Sequence, residues 1–311
     1  MPEIKQITFN FFRAAFDGER RTDTRVHAVL KQIARRHDRA KTIGSDSLLL
    51  GEYKILDKDK GLWIGQLRRL RPNDRIAEGD ETGSFGDVPL SPGKVVTETA
   101  HFLVVPKYKT IAFQGSAQEV GWTQLRAYLE RFCSEDDRLI MLPVLRTDFS
   151  SKLAKLREPK RIDIKVAKPD RWSIVEDPSV RDITENARRF DADYAEIVYG
   201  TRKGKSHKLK AATKQFFIDV VKAVQKHPEL EETVESLKMT GYAADGRERV
   251  ELDFVKDRLS VKFKVDMSTI PTVTAWQDRC YVLAREAWDQ AGDQVRSSFI
   301  QSTSSDSAET P

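Results

Sequence analysis

Residues 146–161, RTDFSSKLAKLREPKR, cut the chain with a basic connector, and a similar succession of strand-like and helix-like patterns runs on either side. That restart constrains the fold more than any single motif. Upstream, Ile7, Phe9 and Phe11 alternate with Thr8 and Asn10, as in a half-buried strand. Thr22 or Asp23 then caps a helix with Val26, Val29, Leu30 and Ile33 on one face. Its other face carries Arg25, Lys31, Arg35, Arg36 and Arg39. Residues 47–56 and 61–70 read as a hairpin turning at 57–60, and 78–94, rich in Gly, Pro, Ser and Asp, as a loop. Strands at 99–105 and 109–114 precede a helix at 118–132, with Trp122, Leu125, Leu129 and Phe132 on one face. A buried strand at 139–145, bent at Pro143, closes this half.

Downstream, the pattern predicts a strand at 162–167, a helix at 179–190, a strand at 194–199 and a helix at 208–226. Strands follow at 235–241, 248–255 and 259–265, then a long helix over 271–298 with Pro271 in its first turn. Val273, Trp276, Cys280, Leu283 and Ala287 form one apolar stripe on that helix. The expectation is an α+β chain of two mixed domains with antiparallel sheets and a long C-terminal helix. Residues 1–150 form a globular first domain and 151–266 a basic second one. The helix of 267–299 packs back on the first domain or joins two copies, and 300–311 is a disordered tail.

Charge narrows the function. Of 311 residues, 53 are Lys or Arg and 48 Asp or Glu, a net of +5. The excess sits in the middle of the chain. Residues 200–226 hold Arg202, Lys203, Lys205, Lys208, Lys210, Lys214, Lys222 and Lys226 against Asp219 alone. Residues 146–168 add Arg146, Lys152, Lys155, Arg157, Lys160, Arg161, Lys165 and Lys168 against Asp148, Glu158 and Asp163. A solvated helix start is the plain alternative for TRKGKSHKLK (201–210). Yet cations at a helix N-terminus oppose the macrodipole, and Gly204 loosens the preceding loop. Weak, additive phosphate contacts suit such a segment. Neither basic stripe is interleaved with aromatic residues, which favours duplex backbone contacts over base stacking. Candidate DNA contacts are therefore Arg202, Lys203, Lys205, Lys208 and Lys210, with Lys152, Lys155, Arg157, Lys160 and Arg161 as a second stripe.

Other chemistry finds little support. His27, His37, His101, His207 and His227 lack partners at zinc spacing, and no phosphate-binding loop, dinucleotide fingerprint or nucleophile elbow occurs. The chain is read as a non-enzyme without a cofactor or metal. Asp163 with Lys165, and Glu251 with Asp253, share strand faces as in metal-dependent nucleases, the alternative function. Exposed strand faces commonly alternate such charges. A protein-binding adaptor using the last helix, with no DNA role, is a further alternative. Cys133 and Cys280 read as buried reduced thiols, and no apolar run reaches the ~20 residues of a membrane span. The chain is read as soluble and intracellular.

The order of elements resembles that of the RexA-like phage exclusion proteins. The resemblance is carried by HFLVVPKYKTIAF (101–113), MLPVLR (141–146), RIDIKV (161–166), AEIVYGTRKGKSHKLK (195–210), ESLKMTG (235–241) and DRCYVLAREAW (278–288). It implies a homodimer in the cytoplasm of a bacterial host that binds double-stranded DNA without sequence preference. It also implies an RdgC-like fold with a mobile second domain, a sensor role in abortive infection, and a RexB-like membrane partner with several spans. Lys238 falls on a basic DNA-contacting position of that family; a second such position is Thr240 here, with Arg247 and Arg249 nearby.

Overall fold

The computed structural model describes residues 3–17, 19, 24–71, 76–79, 85–88, 95–115, 120–134, 137–169, 172, 185, 189, 192–201, 209, 211–226, 230, 233–244 and 246–306. The architecture is α+β, with two larger antiparallel sheets, helices packed against them and a long C-terminal helix. Two compact units divide it. Met1–Met141 and Ser260–Asp293 form the first; Leu142–Leu259 and Gln294–Pro311 form the second.

The first unit is built on β1 (Ile4–Phe16), β2 (Ala40–Ile43), β3 (Asp46–Asp57), β4 (Leu62–Arg71), β7 (Val96–Val105), β8 (Thr110–Gly115), β9 (Leu139–Pro143) and β14 (Ser260–Asp266). The strand order is β14-β1-β8-β7-β4-β3-β2, and β9 also pairs with β1. Helices α1 (Arg25–Ala34) and α2 (Trp122–Glu130) cover one face, where Val26, Leu30, Ile33, Leu125 and Tyr128 meet Phe12, Phe16, Leu50, Phe102 and Phe113. The first part of α5 (Val273–Asp306) is joined to this unit by side chains on the sheet. Gln66 Nε2 donates to the Tyr281 hydroxyl at 2.7 Å, Tyr281 in turn donates to Glu52, and Tyr108 stacks on Trp288. Cys280, Leu283 and Ala287 are fully buried there, whereas Val273 is exposed. The apolar stripe is thus largely consumed within the chain. β1 runs on to Phe16, beyond the alternation at Ile7, Phe9 and Phe11, with Phe12, Ala14 and Phe16 buried on the other face.

In the second unit β10 (Glu158–Ala167), β11 (Tyr194–Gly200), β12 (Val234–Tyr242) and β13 (Arg249–Asp253) form a sheet ordered β11-β10-β12-β13. α4 (Ala211–Lys226) supplies Phe217, Val220, Val221 and Val224 to a core with Ile162, Ile164, Val166, Leu237, Met239 and Leu252. α3 (Thr147–Lys155) packs against β13 and adds Phe149 to the same core.

Several expectations change. β14, placed by sequence in the second domain, pairs with β1 from Ile4↔Asp266 to Asn10↔Ser260 and so belongs to the first unit. A strand pattern names no partner sheet. The loop at 78–94 contains part of a small hairpin, β5 (Ile76–Gly79) with β6 (Phe85–Val88). The connector is itself structured: its amphipathic turn forms α3 and its end starts β10. α1 begins after Thr24, which makes no side-chain cap bond; Thr22 and Asp23 lie outside the described residues. α5 starts at Val273, where the Thr272 hydroxyl accepts from the Ala275 amide, so Pro271 precedes the cap. Its end is Asp306, so the expected tail is helical over 301–306. Cys280 is buried and Cys133 half-buried. Most of the helix expected at 179–190 lies outside the described residues.

Candidate nucleic-acid interface

β10 organises the basic residues. Around its start, just past the end of α3, three carbonyls are occupied from elsewhere in the chain. The Leu156 carbonyl accepts from Lys214 Nζ of α4 at 2.9 Å. The Pro159 carbonyl accepts from the Leu209 amide at 3.1 Å, and the Lys160 carbonyl from the Thr201 amide at 3.0 Å. Both ends of 201–209 are therefore tied to neighbouring residues of β10. Arg202, Lys203, Lys205 and Lys208, and with them Lys210, lie outside the described residues. Their segment nonetheless leaves from and returns to the strand that carries Arg157, Lys160 and Arg161. Two basic stretches remote in sequence meet at one corner.

Local geometry explains why the strand can serve this purpose. The β10–β12 register shifts between Pro159 and Arg161, while on the other side of β10 the Thr201–Lys160 bond carries the β10–β11 ladder one step past Arg161↔Gly200. Gly241 faces Pro159, and a Cβ there would sit 2.2 Å from the Glu158 carbonyl oxygen. Only glycine allows that approach. Lys214, absent from the sequence-derived candidates, joins the corner by donating to the last turn of α3, where carbonyls carry partial negative charge. Burial, and then the nearby Arg157 guanidinium, lower its pKa. Its signal in sequence was slight: one lysine in the first turn of an amphipathic helix.

The other candidates are held differently. Lys152 bonds Asp257 at 2.9 Å and pairs with Asp148 at 3.2 Å, and the Asp257 bond is the main cause of its raised pKa. It neutralises a buried carboxylate. Lys155 faces Glu248 at 3.5 Å on the surface. Arg161 is exposed and bonds Asp163 at 3.0 Å. Arg157 is exposed and makes no ion pair among the described residues.

Lys238 lies on the open face of the sheet, in register with Asp163 on one side and Asp253 on the other. Its ammonium is 3.6 Å from Asp253, a buried carboxylate also 3.6 Å from Lys256. Thr240 stands between Arg161 and Glu251, so Arg161 is the cation next to that position. Across this face Arg161, Lys165, Lys238 and Arg249 are matched by Asp163, Glu196, Glu251 and Asp253. Positive and negative residues thus alternate across the face. The Asp163–Lys165 pair and the Glu251–Asp253 pair do not converge: β12 and Lys238 separate Asp163 from Asp253, and among the described residues no three ligating side chains gather as a metal would need.

The fold and this corner define an α+β protein of two units with a basic edge. The chain belongs to a family of unknown function, DUF6731, which matches residues 2–275. No curated protein matches it. Among the described residues no helix is long and apolar enough to cross a membrane.

Proposed function

We propose that the protein binds double-stranded DNA without sequence preference, as a homodimer, through the corner where 201–209 meets β10. The observation that carries the reading is the anchoring of Thr201 and Leu209 on Lys160 and Pro159. It joins Arg157, Lys160, Arg161 and Lys214 to a segment that contributes Arg202, Lys203, Lys205 and Lys208. Like charges close in sequence repel one another, and a phosphate backbone relieves that repulsion while releasing its counterions. The resemblance to RexA-like proteins adds a role: an intracellular sensor in a bacterial host that reports phage DNA to a multi-span membrane partner.

The test is the salt dependence of duplex binding. Arg202, Lys203 and Lys205 replaced together by Ala should weaken all duplexes about equally and reduce the log–log salt slope by up to ~3. Arg157→Ala with Arg161→Ala should act in the same direction on the same slope. Lys152→Ala should leave the slope alone but destabilise the fold by about 1–3 kcal/mol, since Asp257 loses its buried partner. An unchanged slope in both basic variants would overturn the proposal.

A further inference from the structure

Among the described residues the strand orders of the two larger sheets end on β14, β2, β11 and β13, and three of these are blunted against pairing. β14 exposes Lys262 and Lys264. β2 has four residues, with Lys41 among them. β13 has five, exposes Arg249 and Glu251, and has α3 packed against it. β11 is different. Its seven residues, YAEIVYG, contain no Lys, Arg or Pro, and they pair with β10 from Arg161↔Gly200 to Ala167↔Tyr194 without a bulge. Tyr194, Val198 and Tyr199 are 59%, 44% and 53% exposed. Among the described residues nothing pairs with its outer edge. A regularly paired edge that exposes Tyr and Val and lacks Lys and Pro can accept another strand.

We propose that the strand it accepts is β11 of a second copy of this chain, antiparallel about a twofold axis at Ile197. This gives the dimer of the preceding section its surface, and rests only on that part of the reading. The register is self-complementary. Glu196 of one copy faces Val198 of the other, Tyr194 faces Gly200, and Tyr199 faces Ala195, so every ring meets a small residue and no like charges oppose. A twofold at Glu196 would instead set the two carboxylates against each other. Pairing about Ile197 joins the four-stranded sheets of two copies into one sheet of eight. It also sets the two Thr201–Lys160 corners about 27 Å apart along the strands, at about 3.4 Å per residue. That span is comparable with the ~34 Å turn of a duplex.

The experiment is sedimentation of the full chain at micromolar concentrations, with charges placed at the exposed Val198. Val198→Glu opposes Glu196 twice across the axis and should weaken the dimer roughly tenfold or more. Val198→Lys meets Glu196 instead and should leave the dimer intact or tighter. Glu196→Lys added to Val198→Glu should restore it. A monomeric wild type at tens of micromolar, a dimer indifferent to Val198→Glu, or equal losses from Glu and Lys would each overturn the assignment. A wild-type dimer that obeys this pattern but ignores duplex DNA upholds the assignment and fails only the nucleic-acid reading.

Discussion

Single side chains show how burial decides what a charge does. Lys152 and Arg157 look alike in a basic stretch, yet one is committed to Asp257 and the other has no ion pair among the described residues. His27 illustrates the same point in the first unit. Its Nδ1 lies 2.7 Å from the Tyr53 hydroxyl and its ring meets Trp63 edge-on. Burial, then the charge of Lys31, lower its pKa below 6.5. The folded protein therefore takes up this proton less readily than the unfolded chain. The stability contributed by the neutral ring is present above pH 6.5 and is lost as pH falls through the folded value. Urea unfolding at pH 7.5 and 5.5 should show a decline that is smaller in His27→Gln. Equal declines in the two proteins would contradict this account.

Among elements, the β10–β12 pair does most to build the candidate site. Its register shifts between Pro159 and Arg161, next to the two anchored carbonyls, and Gly241 permits the close approach beside it. Gly241→Ala would force the Glu158 backbone away, at a cost of about 3 kcal/mol by the overpacking rule. Thermal unfolding should register that loss, and duplex affinity should fall with it because the anchors of 201–209 shift. An unchanged melting temperature would show that the strand pair can give way freely. Helix α5 carries a different lesson. Its stripe of Cys280, Leu283 and Ala287 was equally compatible with a second copy and with the chain's own sheet; the sheet has it.

For the molecule as a whole, the distribution of charge matters more than its sum. The open face of the second sheet is balanced, and Asp163 and Asp253 stand on opposite sides of Lys238 rather than around one point. Plasmid incubated with the protein and Mg²⁺ or Mn²⁺ should therefore stay intact. Cleavage that vanishes in Asp163→Ala would establish a nuclease instead. The sequence by itself determined the order and type of most elements, because apolar periodicity of two or near 3.6 follows from local backbone geometry. It also located the two basic stretches, as charge density is read directly from residue types. Tertiary structure alone decided that β14 joins β1, that Lys152 serves Asp257, and that Thr201 and Leu209 fasten the second stretch to β10. Those outcomes depend on which distant backbone and side-chain groups satisfy each other once buried, and no local pattern records such a partner.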